Sequence, residues 1–348
     1  MKILLGLSGG VDSSVAAALL CEAGHDVTAF TLLLGHADLD GVHRCCRPSD
    51  VRDARAVADR LGIAHYIWDY KDLFNEQVLR PFLAGYAAGL TPNPCGMCNR
   101  SVRFGEVLSR ALRLGYDALS TGHYARVAGG GLYRGVDTRK DQSYFLSRIR
   151  AESIQHLIFP LAHLTKQRVR QIAADMKLPT FEKPESQEIC FVSGRTADYL
   201  SSQLGDRPGD IVDSTGRVLG RHSGVHRFTL GQRRGIGVSG PEPLYVTGID
   251  ASGGRVTVGS RAEAFRHRVR VIECNFLLPP DSLSEASGPR AITAQFRYQA
   301  TPISVGVAVS DLGEIDLRLS DPAFAPAPGQ IAALYDGDRV VASGLIAA

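Results

Sequence analysis

Three groups of residues combine side-chain types and spacing suited to chemistry. Ser8-Gly9-Gly10-Val11-Asp12-Ser13-Ser14 pairs two glycines, which let a backbone approach a phosphate closely, with small hydroxyls and a carboxylate. No Gly-Lys-Ser/Thr follows, so this is not a Walker A loop. Cys95-Gly96-Met97-Cys98, in the string Thr91-Pro-Asn-Pro-Cys-Gly-Met-Cys-Asn99, precedes a helical pattern. The pair is open to three readings: a redox pair with a lowered pKa, a zinc site completed by Cys45 and Cys46, or a persulfide or iron–sulfur role. Simple apolar burial is disfavoured, because a proline-rich loop offers little apolar surface. Cys190, in Ser186-Gln-Glu-Ile-Cys190-Phe191, is a third thiol far along the chain, while Cys21 and Cys274 read as structural.

These residues need a frame. Lys2 to Leu7 reads as a buried strand, Val11 to Glu22 as a helix, and Val27 to Leu34 as a second strand. Ser49 to Leu61 reads as a helix capped by Ser49, followed by a strand near His65 to Trp68 and a helix around Leu73 to Ala88. A helix from Ser101 to Leu114 leads into a strand from Asp117 to Ser120, and Thr165 caps a helix over Lys166 to Lys177 that stops at Pro179. Strands alternating with helices imply a doubly wound parallel sheet whose ligands sit at the carboxyl ends of the strands. Beyond about Ser202 the texture changes. Gly209 to Asp213, Gly216 to Gly220, Gly254 to Gly259 and Val269 to Glu273 read as short strands between Gly, Ser and Asp turns, with a polar loop from Pro279 to Pro289. The expected fold is therefore α/β: an N-terminal doubly wound parallel sheet over 1–202, then two small β domains over 203–263 and 264–348, the last a β-barrel.

At 348 residues, with 44% hydrophobic and 22% charged residues, the composition is that of a globular chain. The longest apolar stretch, Val15 to Cys21, is too short to span a bilayer, and Ile3-Leu4-Leu5 is too short for an export signal. A cytoplasmic protein with reduced thiols, rather than a disulfide scaffold, is expected from seven cysteines. The net charge of +3 hides local asymmetry: residues 100–150 carry +6, residues 201–300 carry +4 and residues 301–348 carry −4. Clustered charge fits a polyanionic partner, although a preference for Arg (33, against 6 Lys) on solvated faces yields similar zones. Charge alone does not decide.

The glycine string at the first strand–helix turn resembles the PP-loop of ATP pyrophosphatases, which cleave ATP to AMP and pyrophosphate while adenylating a carbonyl oxygen. It occurs in order with the Thr91–Asn99 string, Thr121-Gly-His-Tyr124, Lys140-Asp-Gln-Ser-Tyr-Phe145, Ile189-Cys-Phe191 and Phe228-Thr-Leu-Gly-Gln-Arg-Arg-Gly235. Together, as far as Pro328-Gly329-Gln330, they resemble the bacterial tRNA-specific 2-thiouridylases (tRNA-uridine 2-sulfurtransferases), with an adenine nucleotide alpha hydrolase-like first domain. The resemblance implies transfer of sulfur to C2 of the wobble uridine in tRNAs for Lys, Glu and Gln. ATP with Mg2+ would be consumed, and sulfur would come from a cysteine desulfurase or a sulfur-relay protein.

Residue by residue, the resemblance assigns Gly6, Leu7, Ser8, Gly9, Gly10, Val11, Asp12 and Ser13 to ATP, with Leu32 and Gly122 beside the adenosine. Asn93, Pro94 and Cys95 would meet the target base, and His123, Lys140, Asp141, Gln142, Arg297, Tyr298 and Gln330 would contact tRNA. Cys98 matches the nucleophile and Cys190 the persulfide carrier. Many members carry Asp, thought to act as acid/base, where this chain has Cys95. That departure leaves two routes open: persulfide and disulfide chemistry, or a [4Fe–4S] cluster on Cys95, Cys98 and Cys190 as in related PP-loop thiolases. Arg221, Arg227, Arg233 and Arg234 are expected to grip the anticodon stem. Two other functions compete. A PP-loop amide-forming ligase would need neither the cysteines nor basic β domains. A non-catalytic RNA-binding protein with a vestigial nucleotide loop would need neither Asp12 nor both serines.

Overall fold

The computed structural model of the chain describes residues 1–35, 48–184, 189–192, 194–283 and 291–348. They gather into two compact units, one of residues 1–78, 95–191 and 338–340, the other of residues 79–94, 192–337 and 341–348. Residues 79–94 group with the later chain because the helix Arg80–Ala87 packs on the helix Thr196–Leu204.

In the first unit, β1 (Lys2–Gly6), β2 (Asp26–Leu33), β3 (His65–Asp69) and β4 (Ala118–Ser120) are followed by a hairpin of β5 (Ala125–Ala128) and β6 (Gly131–Arg134), then β7 (Leu157–Ile158). The parallel sheet runs β3-β2-β1-β4-β7. Ile3, Leu4 and Leu5 have no exposed surface, as expected of a strand covered on both faces. The chain winds outward from β1 through β2 and β3 on one side, and through β4 and β7 on the other. The carboxyl ends of β1 and β4 therefore flank the switch point at which such sheets bind ligands.

The helix Val11–Glu22 buries Val11, Val15, Ala16, Ala17, Ala18 and Leu20 and packs on the helices Pro48–Leu61 and Lys166–Asp175. Burial of a side chain such as Val15 or Leu20 contributes roughly 1.5–3 kcal/mol, so the helix that begins at the glycine string is held firmly. The Pro48–Leu61 helix corrects one expectation. Ser49 lies inside the first turn rather than capping it, because Pro48 takes the first helical position, where a missing N–H costs nothing. Thr165 does cap, its Oγ1 accepting the Arg168 N–H at 3.3 Å. That helix ends at Asp175, two residues earlier than expected, and Lys177 takes a left-handed conformation (φ 51°) ahead of Pro179.

The expected helix over 73–88 is an α segment Lys71–Phe74, a π segment Asn75–Leu79 and an α segment Arg80–Ala87. The helix expected from Ser101 starts at Pro94: α over Pro94–Met97, π over Cys98–Val107, and α over Leu108–Arg113.

In the second unit, β8 (Gly209–Val212), β9 (Val218–His222), β10 (Tyr245–Asp250) and β11 (Arg255–Gly259) form a sheet in the order β10-β11-β8-β9 over a core that includes Ile211, Phe228, Val246 and Val256. Then β12 (Phe265–Phe276), β13 (Ile292–Gln295), β14 (Ile303–Val309), β15 (Ile315–Phe324), β16 (Ile331–Asp336) and β17 (Arg339–Ile346) run in the order β12-β15-β14-β13-β16-β17, and β17 pairs back on β12. The six strands close a barrel, which removes exposed edges. Strand β15 shows the required alternation, with Ile315, Leu317 and Leu319 inward and Asp316, Arg318 and Ser320 outward. The expected fold class is the one observed. Of the polar loop expected over 279–289, Pro280–Leu283 forms a short 3-10 turn, and residues 284–290 lie outside the described residues. No helix among the described residues is long and apolar enough to cross a membrane.

Candidate active site

The glycine string joins β1 to the helix Val11–Glu22 at the switch point. Gly10 takes the N-cap position in an extended conformation without a capping side chain, so the backbone itself presents the start of the helix. Ser8 and Ser13 close the loop on itself. The Ser8 N–H donates to Ser13 Oγ at 3.2 Å, and the Ser13 and Ser14 hydroxyls donate to the Gly10 carbonyl at 3.0 and 2.8 Å. Gly9 has a φ of 72°, and a Cβ there would run into the Asp50 carbonyl oxygen. From the end of β4, Gly122 comes so near that a Cβ on it would lie 2.7 Å from the Asp12 carbonyl carbon and from the Ser13 nitrogen. Gly6, Leu7 and Leu32 complete this wall at the ends of β1 and β2, with the Thr31 hydroxyl donating to the Leu7 carbonyl at 2.6 Å.

Asp12 points at two residues that sequence reasoning left out of the site. Tyr124 donates its hydroxyl proton to Asp12 Oδ1 at 2.6 Å, and the Lys166 ammonium donates to both carboxylate oxygens at 2.7 and 2.8 Å. Thr180 donates to Ser14 Oγ at 2.8 Å. The signal for Lys166 was available: a lysine directly after a threonine N-cap stands where a helix dipole disfavours positive charge.

The cysteines belong to the same unit as the loop. Pro94 starts their helix, so Cys95 and Cys98 lie in its first turns rather than in a loop, and Cys98 is buried. The expectation against simple burial fails for Cys98, whereas Cys95 is half-buried in the turn that Pro94 opens. Cys190 is exposed. Burial, with the neighbouring Cys190 second, pushes the Cys95 thiol up to about 11 against the opposing charge of Arg103. Cys95 is therefore a protonated thiol at neutral pH. Its folded-state value is raised, so its contribution to stability is complete below the ordinary value of 9.0 and is lost as pH climbs toward 11. Brief iodoacetamide treatment at pH 7.5, read by peptide mass spectrometry, is expected to label Cys190 well before Cys95 or Cys98. Labelling of Cys95 should grow only in strong alkali; equal labelling at pH 7.5 would contradict this environment.

No disulfide joins the five described cysteines, Cys21, Cys95, Cys98, Cys190 and Cys274, to one another; Cys45, Cys46 and Ser186 to Glu188 lie outside the described residues. Among the described residues no three of His, Cys, Asp and Glu gather as a group able to hold a metal ion. The [4Fe–4S] set expected on Cys95, Cys98 and Cys190 therefore finds no support in the geometry of the described residues.

Three domain families match the chain consecutively: the tRNA methyl transferase HUP domain over residues 1–194, the tRNA methyl transferase PRC-barrel domain over 197–260 and the aminomethyltransferase beta-barrel domain over 266–346. The tRNA-specific 2-thiouridylase MnmA of Mycolicibacterium smegmatis is 44% identical across 99% of both chains. That of Nocardioides sp. is 44% identical across 100% of this chain and 98% of its own, and that of Synechococcus sp. 42% across 99% and 94%. The chain belongs to the tRNA-specific 2-thiouridylase family.

For the remaining residues assigned through the thiouridylase resemblance, the structure separates surface groups from framework. Asp141 is buried and its carboxylate accepts from Arg134 Nη1 (3.0 Å), the Gly135 N–H (3.0 Å) and both the N–H and hydroxyl of Ser143 (3.1 and 2.8 Å), so it shapes the turn that carries Lys140. Gln142 Oε1 accepts the Tyr124 N–H at 3.0 Å and locks this turn to the one beside Gly122. His123 packs between Phe104 and Phe159 with Thr121 Oγ1 2.7 Å from its Nδ1; burial, then the Arg103 charge, lowers it to about 3. It is a neutral imidazole, able to offer a phosphate a hydrogen bond but no charge.

In the second unit, the Thr91 N–H donates to the Pro328 carbonyl at 2.7 Å and Gly329 (φ 84°) packs on the backbone of Thr91 and Pro92, while the Gln330 N–H donates to the Ala327 carbonyl at 3.1 Å. Arg297 donates to the carbonyls of Leu230 and Ala325 at 2.9 and 2.8 Å, tying the barrel to the Phe228–Gly235 string beside Tyr298. Arg227 is engaged by Ser201 and Asp198, and Arg221 lies 3.6 Å from Asp210, whereas Arg233 and Arg234 are exposed.

Proposed function

We propose that this chain is a tRNA-uridine 2-sulfurtransferase that consumes ATP. The observation that carries the reading is the union, in one end-to-end family match, of a nucleotide loop at the sheet switch point with the thiols Cys98 and Cys190 in the same unit. Magnesium arrives with ATP, and residues Gly6 to Ser13, Leu32 and Gly122 form the nucleotide site. The wobble uridine O2 attacks the α-phosphorus, the α–β bond breaks, and pyrophosphate leaves with the electron pair. Oxygen bonded to carbon is a poor leaving group, and adenylation converts it to AMP.

The persulfide on Cys190 then attacks C2 through its terminal sulfur, and AMP departs carrying the former O2. Cys98 attacks the Cys190 sulfur, the bond to the transferred sulfur breaks toward the nucleoside, and 2-thiouridine leaves behind a Cys98–Cys190 disulfide. A cellular dithiol resets the pair, and a cysteine desulfurase or sulfur-relay protein reloads Cys190. Cys95, held protonated, can donate a proton at the acid/base position but cannot accept one. The wobble base must leave its stack to reach this chemistry.

The functional division we assign is 1–202 for catalysis, 203–263 for gripping the anticodon stem and 264–348 for the remaining tRNA contacts. Asn93, Pro94 and Cys95 face the base. His123, Lys140, Arg297, Tyr298 and Gln330 meet the tRNA, while Asp141 and Gln142 set the turn beneath it. The substrates are tRNAs for Lys, Glu and Gln in the cytoplasm. Charge reversal at Arg233 and Arg234 is expected to weaken tRNA binding about tenfold or more and to flatten its salt dependence by about one unit of log–log slope per lost contact. Unchanged affinity and slope in filter binding would remove the gripping role. The reading as a whole is tested by tRNA-dependent release of AMP and pyrophosphate alongside sulfur incorporation. An amide-forming ligase would release AMP without thiolating tRNA, and an RNA-binding protein would release none.

A further inference from the structure

Residues 8–14 contain no Lys or Arg, yet the loop carries the carboxylate of Asp12 at the place where a polyanion must sit. An acid in an anion-binding loop repels its ligand unless a cation offsets it. Lys166 does so from another helix, with its ammonium on both oxygens of Asp12. We propose that Lys166 supplies the positive charge this loop lacks, binding the β- and γ-phosphates of ATP and stabilising pyrophosphate as it leaves. The inference rests on the reading that the loop cleaves ATP between its α- and β-phosphates.

Several observations set Lys166 apart from an ordinary surface ion pair. It occupies the first position of the helix Lys166–Asp175, where the dipole opposes a positive side chain, and that side chain is only 12% exposed. Breaking a local rule while burying a charge is expected at functional positions. Its backbone is fixed independently, because the Lys166 N–H donates to Asp137 Oδ2 at 2.8 Å directly after the Thr165 cap. Its helix buries Val169 and Ala173 in the core shared with the Val11–Glu22 helix, which fixes the reach of the ammonium. Asp12 does not depend on Lys166 for a partner, since Tyr124 already donates to it at 2.6 Å. In the reaction, the α–β phosphoanhydride bond breaks as the bond from the uridine O2 forms, and negative charge grows on the β-phosphate oxygens, where an ammonium stabilises it.

Full-length Lys166→Met, Lys166→Arg, Asp12→Asn and a Lys166→Met/Asp12→Asn double variant test this, with binding of inorganic pyrophosphate in the presence of magnesium followed by calorimetry. AMP formation with tRNA is measured in single turnover. The expected result for Lys166→Met is pyrophosphate affinity down at least tenfold and AMP formation down roughly 100- to 1,000-fold, at unchanged tRNA affinity, with partial recovery in Lys166→Arg. The double variant decides between phosphate binding and mere neutralisation of Asp12. Pyrophosphate affinity in the double variant well below that of Asp12→Asn alone supports the proposal, and affinity equal to that of Asp12→Asn overturns it. The double variant has no unpaired carboxylate, so this comparison holds even if Lys166→Met alone folds poorly. A parent protein that binds pyrophosphate but makes no AMP with any tRNA would instead overturn the reaction assigned above.

Discussion

A Cys98→Ala chain supplied with sulfur, ATP and tRNA is expected to form AMP and pyrophosphate once and then stall, holding tRNA through a bond that dithiothreitol cleaves. The persulfide on Cys190 can still attack C2, but nothing resolves the resulting disulfide between Cys190 and the nucleoside. A non-reducing denaturing gel should show a tRNA–protein adduct that disappears on reduction, with multiple-turnover thiolation lowered by more than about 1,000-fold, as expected when a covalent catalyst is removed. Cys190→Ala should give no adduct and no thiolation, yet still release pyrophosphate. The two thiols are set up for these different parts: Cys98 is buried in the π segment Cys98–Val107, whereas Cys190 is exposed to a donor. Full thiolation by Cys98→Ala, or an adduct formed through Cys98 in the absence of Cys190, would contradict the division.

Gly122→Ala should be nearly as damaging without touching a reactive group. The added carbon would lie 2.7 Å from the Asp12 carbonyl carbon and the Ser13 nitrogen and 2.9 Å from the Asp12 oxygen, all of them backbone atoms in the nucleotide loop. Something must shift, and the neighbouring β1 and β4 are buried on both faces, so the loop gives way. Displacement of order 1 Å in a positioning element costs on the order of 100-fold in rate, and overpacking destabilises by roughly 1–3 kcal/mol. AMP formation by Gly122→Ala is therefore expected to fall about 100-fold with tRNA affinity kept. Equal losses of AMP formation and tRNA binding would point to general unfolding rather than to a displaced loop.

Much of this was legible in the residues. The run Lys2 to Leu7, the glycine string and the apolar stretch Val15 to Cys21 after it predict a strand, a turn and a buried helix, and all three are found, because elements covered on both sides leave continuous apolar runs. The start of the Cys95 helix was not legible. Thr91-Pro-Asn-Pro reads as a loop, yet Pro94 opens a helix, and the π segment that follows buries Cys98 with Asn99 and Val102. Strands β13 to β17 were not read individually, although β15 alternates plainly; β16 and β17 are buried almost throughout and show near-continuous apolar runs instead. In the site, Asp12 could be read but its partners could not. Lys166 and Tyr124 lie 154 and 112 residues away, and the fold alone brings them to one carboxylate. Asp141 shows the converse: a charged residue in a recognisable string proves to be buried framework.

The most direct test of the central claim counts AMP, pyrophosphate and sulfur on one preparation of the full chain, with tRNA for Glu as substrate and a persulfide-loaded donor. One AMP and one pyrophosphate for each 2-thiouridine formed, with none of the three when tRNA is omitted, is the predicted result. Thiolated tRNA without AMP, or AMP without thiolated tRNA, would contradict a reaction in which adenylation of O2 and sulfur transfer to C2 are consecutive steps at one site.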